Sequence, residues 1–189
     1  MATIVIFHSV LGLRSIELAT TERLRASGHD VLTPDLFAGR TASTPDEGFL
    51  IMEDIGWDTI RERARAALAT VPSTATLMGF SMGAGVISSI WPERPDAAAV
   101  ILIHGLADIP ADLDPNIRIQ AHVADPDPFV HASQLESWTR ADAAAVQLFR
   151  YPGLRHFFTD PSLDEFDGPG AEQAWDRIAR LLEITATRG

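Results

Sequence analysis

The chain has 189 residues, no cysteine and a formal net charge of −11, and all fifteen of its basic residues are arginine. This acidic balance argues against a nucleic-acid or anionic membrane partner, because both would repel the protein. The lack of cysteine and lysine excludes disulfides, a cysteine nucleophile and Schiff-base chemistry. With 46% hydrophobic residues, the length predicts one globular domain over residues 1–189.

Apolar runs of strand length alternate with helical periodicities along the chain. The first half predicts strands at residues 3–8, 30–33 and 74–78, helices at 13–27 and 53–70, and a loop at 38–48. The second half predicts strands at 98–103, 117–123 and 146–150, and helices at 82–91, 132–143 and 170–184. Strands separated by helices indicate an α/β fold with a mostly parallel six-stranded sheet and helices on both faces.

The apolar N-terminal run at residues 2–7 lacks a basic leader and a cleavage site, which favours a strand over a signal peptide. No apolar stretch approaches the length of a membrane span, so we expect a cytoplasmic protein without a membrane partner. After the first strand, His8-Ser9-Val10-Leu11-Gly12 has neither the spaced glycines of a dinucleotide site nor a phosphate-binding lysine. Scattered histidines do not form a metal-ligand pattern, so neither a cofactor nor a metal is expected.

The segment Gly79-Phe80-Ser81-Met82-Gly83 lies between a predicted strand and a predicted helix. A serine with a glycine two residues to either side in this context is typical of a nucleophile elbow. The serine then lies on a sharp turn, and larger side chains at the glycine positions would collide with neighbouring elements. The N–H of Met82, at the start of the helix, is a candidate oxyanion donor.

An open parallel sheet binds its ligand at the carboxyl ends of its strands, where polar side chains are therefore candidate site residues. Those that follow the predicted strands are His8, Ser9, Ser81, His104, Asp125, Asp127 and His156. A serine nucleophile needs a base and an orienting acid, which follow it along the chain in the order acid, histidine. His156 is the candidate base, and either Asp125 or Asp127 is the acid. His8, Ser9 and His104 are candidates to line the pocket, although a neutral histidine hydrogen-bonded to a neighbouring loop is the favoured interpretation of His8 and His104. His122 and His131 are expected to be structural.

With these residues in place, the chain resembles the dienelactone hydrolase family of α/β-hydrolases. The similarity lies in residues 6–13 at the end of the first strand, the Pro-Asp-Leu stretch within 33–37, and the elbow at 78–85. The acid loop is also similar, and an aspartate two residues before Phe-Val places the family's acid at Asp127. The family histidine before phenylalanine corresponds to His156. The resemblance implies a second oxyanion N–H at Val10.

Three positions depart from the family pattern. Ser81 stands where the family has a cysteine, Ser9 stands where it has a gating glutamate, and Thr159-Asp160 replaces an arginine that binds a substrate carboxylate. A serine nucleophile does not need the gating glutamate, so the first two changes are consistent with each other. The segment 105–116 is too short for a cap domain, and only residues around 38–52 are expected to cover the pocket.

These observations predict a cofactor-free serine hydrolase that cleaves a small carboxylester or lactone through an acyl-enzyme on Ser81. Its expected partner is therefore a small-molecule ester, and the sequence does not predict an oligomeric state. The alternative is a non-catalytic α/β-hydrolase-fold protein that binds a ligand, since Ser9 and the missing arginine leave room for a site without activity.

Overall fold

The computed structural model describes residues 1–112, 114, 117–141 and 145–186. Within these residues, six parallel strands form one sheet in the order β2-β1-β3-β4-β5-β6. The strands are β1 (Thr3–Phe7), β2 (Asp30–Leu32), β3 (Thr76–Phe80), β4 (Ala99–Ile103), β5 (Arg118–Asp125) and β6 (Val146–Pro152). The predicted α/β class and the six-stranded parallel sheet are confirmed.

Among the described residues, helices lie between the successive strands of this parallel sheet, except between β4 and β5. They are α1 (Ser15–Ala26), α2 (Pro45–Ile55), α3 (Trp57–Leu68), α4 (Met82–Ile90), α5 (Ala132–Arg140) and α6 (Gly168–Ala186). Residues 142–143, the end of the helix predicted at 132–143, lie outside the described residues. Of the residues described, no helix is long and apolar enough to cross a membrane.

The two faces of the sheet are covered by different helices because side chains alternate along each strand. On β1, Val5 and Phe7 join a core with α3 and α4, while Ile4 and Ile6 join a core with α6. The central strands β3 and β4 are buried over their whole length. Their carboxyl ends therefore lie in a rigid, well-packed position at one edge of the molecule.

The region between β2 and β3 differs from the prediction of one loop and one helix. The helix α2 already begins at Pro45, where the Thr44 side chain caps it by accepting the Glu47 N–H at 3.3 Å. Gly56, with φ +83°, then separates α2 from α3. The left-handed conformation of this glycine turns the chain, so the continuous helical periodicity belongs to two helices.

The connection between β4 and β5 contains no helix or strand among residues 104–112, 114 and 117. No cap domain is inserted there, as expected. The edge of the sheet that carries Ser81 is instead bordered by α2 and by the first residue of α3.

Candidate active site

Ser81 lies on a strained turn between β3 and α4, with φ +48° and ψ −106°. Two glycines make this turn sterically feasible. A Cβ on Gly79 would lie 2.6 Å from the carbonyl carbon of Gly83, and a Cβ on Gly83 would collide with the Phe7 carbonyl oxygen of β1. The Ser81 N–H donates to the Ile103 carbonyl at 2.8 Å, which fixes the turn against β4. The glycine spacing seen in the sequence is therefore explained by backbone contacts.

A continuous chain of hydrogen bonds joins Ser81, His156 and Asp127. The Ser81 Oγ lies 2.9 Å from His156 Nε2, and His156 Nδ1 lies 2.9 and 2.8 Å from the two carboxylate oxygens of Asp127. The His156 and Asp127 side chains are only 3% and 1% exposed. Because an ionised carboxylate only accepts, Nδ1 carries the proton and Nε2 is free to accept from the serine hydroxyl.

Of the two candidate acids, the structure brings Asp127 to His156 and leaves Asp125 elsewhere. Asp127 lies in the loop after β5, where its Oδ1 also accepts the Phe129 N–H at 2.9 Å. Asp125, the last residue of β5, instead accepts from Arg150 at 2.8 Å near the surface. The structure therefore places Asp127, and not Asp125, within hydrogen-bond distance of His156.

The two N–H groups expected to bind an oxyanion both border the cavity in front of Ser81. Met82 is the first residue of α4, and its N–H lies at the positive end of the helix dipole. Val10 follows β1 on the other side of the serine. Among the described residues, no hydrogen bond uses the N–H of either one. Both donors are therefore free to bind a negatively charged oxygen.

The cavity at this edge has a volume of about 370 Å³ and an almost entirely apolar wall. Its side chains come from the loop after β1, from α2, from the starts of α3 and α4, and from the acid loop. The apolar ones are Val10, Phe49, Met52, Trp57, Met82 and Phe129, and the cavity is completed by Ser81, Gly85 and His104. The sequence prediction that residues around 38–52 cover the pocket applies to α2, but it did not include Trp57 or Phe129.

Of the three candidate pocket-lining side chains, His104 is the one among the described residues that borders the cavity. Its Nε2 lies 3.0 Å from Thr159 Oγ1, and burial lowers the pKa of its imidazole well below the usual value. His104 is therefore neutral in the folded protein.

His8 and Ser9, the other two candidates, are not among the residues that line the cavity. His8 is fully buried beneath the loop, where its two nitrogens bond the backbone of Ser9 and Leu36. The Ser9 hydroxyl accepts the Leu11 N–H at 3.3 Å within the same loop. A position after a strand does not by itself determine which way a side chain points.

Glu17, which the sequence analysis did not select, is a fully buried carboxyl group on α1. It accepts the N–H of Ser9 at 3.2 Å and that of Arg14 at 3.0 Å, and burial raises the pKa of its carboxyl. The Arg14 guanidinium in turn forms an ion pair with Asp160, four residues after His156. This network joins the loop that carries Val10 to the loop that carries His156. Its signal in the sequence was a glutamate three residues after Arg14, the residue that directly precedes α1.

The other two histidines that the sequence predicted to be structural differ from each other. His122 is buried within β5, whereas His131 is an exposed residue directly before α5 whose side chain does not cap the helix. In the part of the chain that the structure describes, no group of three or more histidine, aspartate or glutamate side chains is arranged to hold a metal ion.

The parallel sheet, the strained serine turn and the serine–histidine–aspartate arrangement define an α/β hydrolase. The chain belongs to the dienelactone hydrolase family, whose family model matches residues 1–185. This membership confirms the resemblance seen in the sequence and makes the protein a hydrolase of ester bonds.

Solved structures with the same fold span most of the chain. A dienelactone hydrolase-like promiscuous phosphotriesterase, P91, from metagenomic libraries is 19% identical, with a TM-score of 0.79 over 98% of this chain and 87% of that one. The protein m3DLH is 22% identical, with a TM-score of 0.78 over 97% and 86%. A cold-adapted esterase from an Arctic intertidal metagenomic library is 14% identical, with a TM-score of 0.59 over 92% and 82%. A comparison with curated proteins gave no significant match.

Proposed function

We propose that the protein is a serine hydrolase that cleaves a small carboxylic ester or lactone through an acyl-enzyme on Ser81. The observation that carries this proposal is the unbroken hydrogen-bond chain from Ser81 through His156 to Asp127 at the mouth of a cavity. A buried polar chain of this kind, opening on a space of substrate size, is the arrangement that activates a serine hydroxyl.

In the first half of the reaction, Ser81 Oγ attacks the ester carbonyl carbon while His156 Nε2 accepts the hydroxyl proton. The carbonyl oxygen becomes an oxyanion held by the N–H groups of Val10 and Met82. Asp127 keeps the imidazole in the required tautomer and stabilises the imidazolium. When the tetrahedral intermediate collapses, the bond to the alcohol oxygen breaks and His156 returns the proton to that oxygen.

In the second half, a water molecule attacks the acyl-enzyme carbonyl, and His156 again acts as the general base. The same two N–H groups hold the second oxyanion, and its collapse releases the carboxylic acid and restores Ser81. Each donor is expected to contribute about 3 kcal/mol of transition-state stabilisation. No step requires a metal or an organic cofactor.

The test compares hydrolysis of p-nitrophenyl acetate by the wild-type protein, Ser81→Ala and Ser89→Ala. Ser89 lies on the same helix, and its hydroxyl donates to the Gly85 carbonyl at 3.2 Å, so it controls for loss of a serine from α4. We expect Ser81→Ala to abolish turnover and Ser89→Ala to retain it. Equal rates for the wild-type protein and Ser81→Ala would disprove the proposal.

A further inference from the structure

None of the described residues that line the cavity has a charged side chain. The polar members of this wall are the Ser81 hydroxyl and the neutral imidazole of His104, whose Nε2 is already engaged by Thr159. An ionised group inside such a wall loses its hydration without gaining a counter-charge, and the net charge of −11 adds repulsion of anions. The cavity therefore favours the uncharged part of a substrate.

The position of His156 distinguishes the two ends of the cavity. The leaving alcohol must lie beside His156, because this imidazole returns the proton to it. Phe129, whose ring lies 4.6 Å from that of His156, borders this end and is 43% exposed. The leaving group therefore faces the solvent. The acyl group must then occupy the part of the cavity away from His156.

Gly85, on α4, also lines the cavity. It lies four residues after Ser81, about one helical turn along α4, and therefore on the same face of the helix as the serine. A Cβ at Gly85 would lie 3.5 Å from the Trp57 ring, which is ordinary contact distance. The missing side chain leaves a space of about the size of a methyl group beside the indole open to the cavity.

We infer that Ser81 acts on esters whose acyl group is uncharged, apolar and longer than acetyl, with this group lying over Gly85 against Trp57. This inference rests on the proposed function and specifies its substrate class. This substrate class can be distinguished from carboxylate-bearing substrates by measurement, because an acyl group that ends in a methyl should bind where one that ends in a carboxylate does not.

The first test measures kcat/KM of the wild-type protein for the p-nitrophenyl esters of acetate, butyrate and hexanoate, and for the mono-p-nitrophenyl ester of adipate. Each buried methylene is expected to raise kcat/KM up to about fourfold, so hexanoate should exceed acetate at least tenfold. The adipate ester has the hexanoate chain length but ends in a carboxylate, and it should fall roughly a hundredfold below hexanoate. A flat series, or adipate equal to hexanoate, would overturn the inference.

Variants then locate the acyl group. Gly85→Leu should lower the hexanoate-to-acetate ratio tenfold or more, and Gly85→Ala, whose Cβ fits beside Trp57, should lower it less. Leu50→Ala is the matched control, since Leu50 lies on α2 but is 66% exposed and outside the cavity wall. It should leave the ratio unchanged. An unaltered ratio in folded Gly85→Leu would also overturn the inference.

The outcomes separate this inference from the proposed function. Acetate hydrolysis that depends on Ser81 but shows no chain-length preference keeps the function and removes the substrate class. Turnover that survives Ser81→Ala, or a wild-type protein inactive on every ester in the series, removes both.

A second inference concerns His8, whose tautomer is fixed by its backbone contacts. The Leu36 N–H points at His8 Nε2 at 3.0 Å, and a peptide N–H only donates. Nε2 is therefore the unprotonated nitrogen, and Nδ1–H donates to the Ser9 carbonyl oxygen at 2.7 Å. Burial lowers the pKa of His8, which keeps the ring in this neutral form.

The carbonyl that His8 holds belongs to the peptide unit whose other end is the Val10 N–H. In a planar trans peptide these two groups point in opposite directions. The Gly12 N–H also donates to the Ser9 oxygen at 3.1 Å, so two donors fix this end of the unit. The other end of this peptide unit is the Val10 N–H, which is thereby held toward the cavity. Polarisation of the Ser9 carbonyl also strengthens the Val10 N–H as a hydrogen-bond donor.

We propose that His8 is a positioning residue that orients the Val10 N–H for oxyanion binding, which again rests on the proposed function. The test compares His8→Asn and His8→Gln. The asparagine amide nitrogen occupies the position of Nδ1 and keeps the bond to Ser9, whereas the longer glutamine reaches toward Leu36 and loses it.

For p-nitrophenyl acetate, we expect His8→Gln to lower kcat about ten- to a hundredfold with KM within about threefold, since loss of one oxyanion donor costs up to 10²–10³. His8→Asn should retain kcat within about fivefold. Thermal unfolding of both variants controls for stability, because a purely structural role predicts that activity follows the melting temperature. Folded His8→Asn with activity lost a hundredfold, or folded His8→Gln with kcat unchanged, would contradict the proposal.

Discussion

Two buried histidines, His156 and His122, have hydrogen bonds at both ring nitrogens but differ in the partners they meet. His156 lies between the Ser81 hydroxyl and the Asp127 carboxylate. His122 lies within β5, between the Tyr151 hydroxyl at 2.7 Å and the Gln120 amide oxygen at 2.9 Å. Burial and full hydrogen bonding are therefore common to both and do not identify a base.

The two histidines differ in the charge of their hydrogen-bond partners and in their access to the cavity. The partners of His122 are neutral, and burial together with the nearby Arg177 guanidinium lowers the pKa of His122 to about 3. His156 faces a carboxylate, which stabilises an imidazolium, and a hydroxyl at the edge of a cavity. A histidine becomes a base where it can gain a proton against a negative charge and pass it to a substrate.

The largest expected effect separates the two histidines by activity. His156→Gln should lower kcat for p-nitrophenyl acetate by about 10⁴ or more, because Ser81 loses its base. His122→Gln should leave kcat within about threefold and instead lower the free energy of unfolding by about 1–3 kcal/mol, through the bonds lost to Tyr151 and Gln120. Ester hydrolysis and urea unfolding of both variants check this, and a comparable loss of kcat in folded His122→Gln would remove the distinction.

The second prediction compares the two aspartates. Asp127→Asn removes the carboxylate that holds the imidazole tautomer, and it should lower kcat by about four orders of magnitude with the fold intact. Asp125→Asn breaks a partly exposed pair with Arg150 and should change stability by less than about 1 kcal/mol with activity retained. Steady-state kinetics of the two variants test the assignment, which the reverse ranking would overturn.

The third prediction concerns the stability of the folded protein at acidic pH. The folded pKa of His122 lies below the unfolded value of 6.5, so as pH falls below 6.5 the unfolded chain binds a proton that the folded protein does not. At pH 4.5 this should cost about 2–3 kcal/mol of stability. His8 and His104 act in the same direction, and the raised pKa of Glu17 opposes them.

Urea unfolding at pH 7 and pH 4.5 measures this loss. His122→Gln is the control, and its stability should fall less between the two pH values because one titrating group is gone. A wild-type stability that is constant or rises on acidification would contradict the neutral, buried state of these histidines.

The smallest expected effect tests the contact between α2 and the loop after β1 that carries Val10. A Cβ on Gly48 would collide with the Val10 carbonyl oxygen. Gly48→Ala should therefore displace the helix or the loop, lower the free energy of unfolding by about 1–3 kcal/mol and reduce kcat. Gly39→Ala is the comparison variant, since nothing lies within 4 Å of its added Cβ, although its φ of +88° strains the backbone. Loss of kcat in Gly39→Ala but not in Gly48→Ala would refute the contact as the cause.

The sheet and the elbow were predictable because their signals are local. Buried parallel strands appear as short apolar runs, and the glycines around Ser81 are required by contacts within a few residues and with β1. The strand ends likewise indicated Ser81 and His156. The choice of Asp127 over Asp125 needed the family resemblance, because in an extended stretch residues two apart point the same way.

The pocket was harder to predict because its wall depends on backbone angles and distant contacts. Helical periodicity continues through Gly56, so the turn that brings Trp57 to the cavity was not visible. The inward direction of His8 depends on Leu36, which is 28 residues away. A glutamate on a helix is usually exposed, so the burial of Glu17 had only a capping pattern to indicate it.

Intact-mass analysis after treatment with a fluorophosphonate tests directly whether Ser81 is an activated nucleophile. We expect one covalent adduct per chain, mapped to the peptide containing Ser81, and sharply slower labelling in His156→Gln. His122→Gln should label at close to the wild-type rate, which matches the comparison of the two histidines. An unchanged mass after long exposure, or an adduct elsewhere on the chain, would contradict the claim.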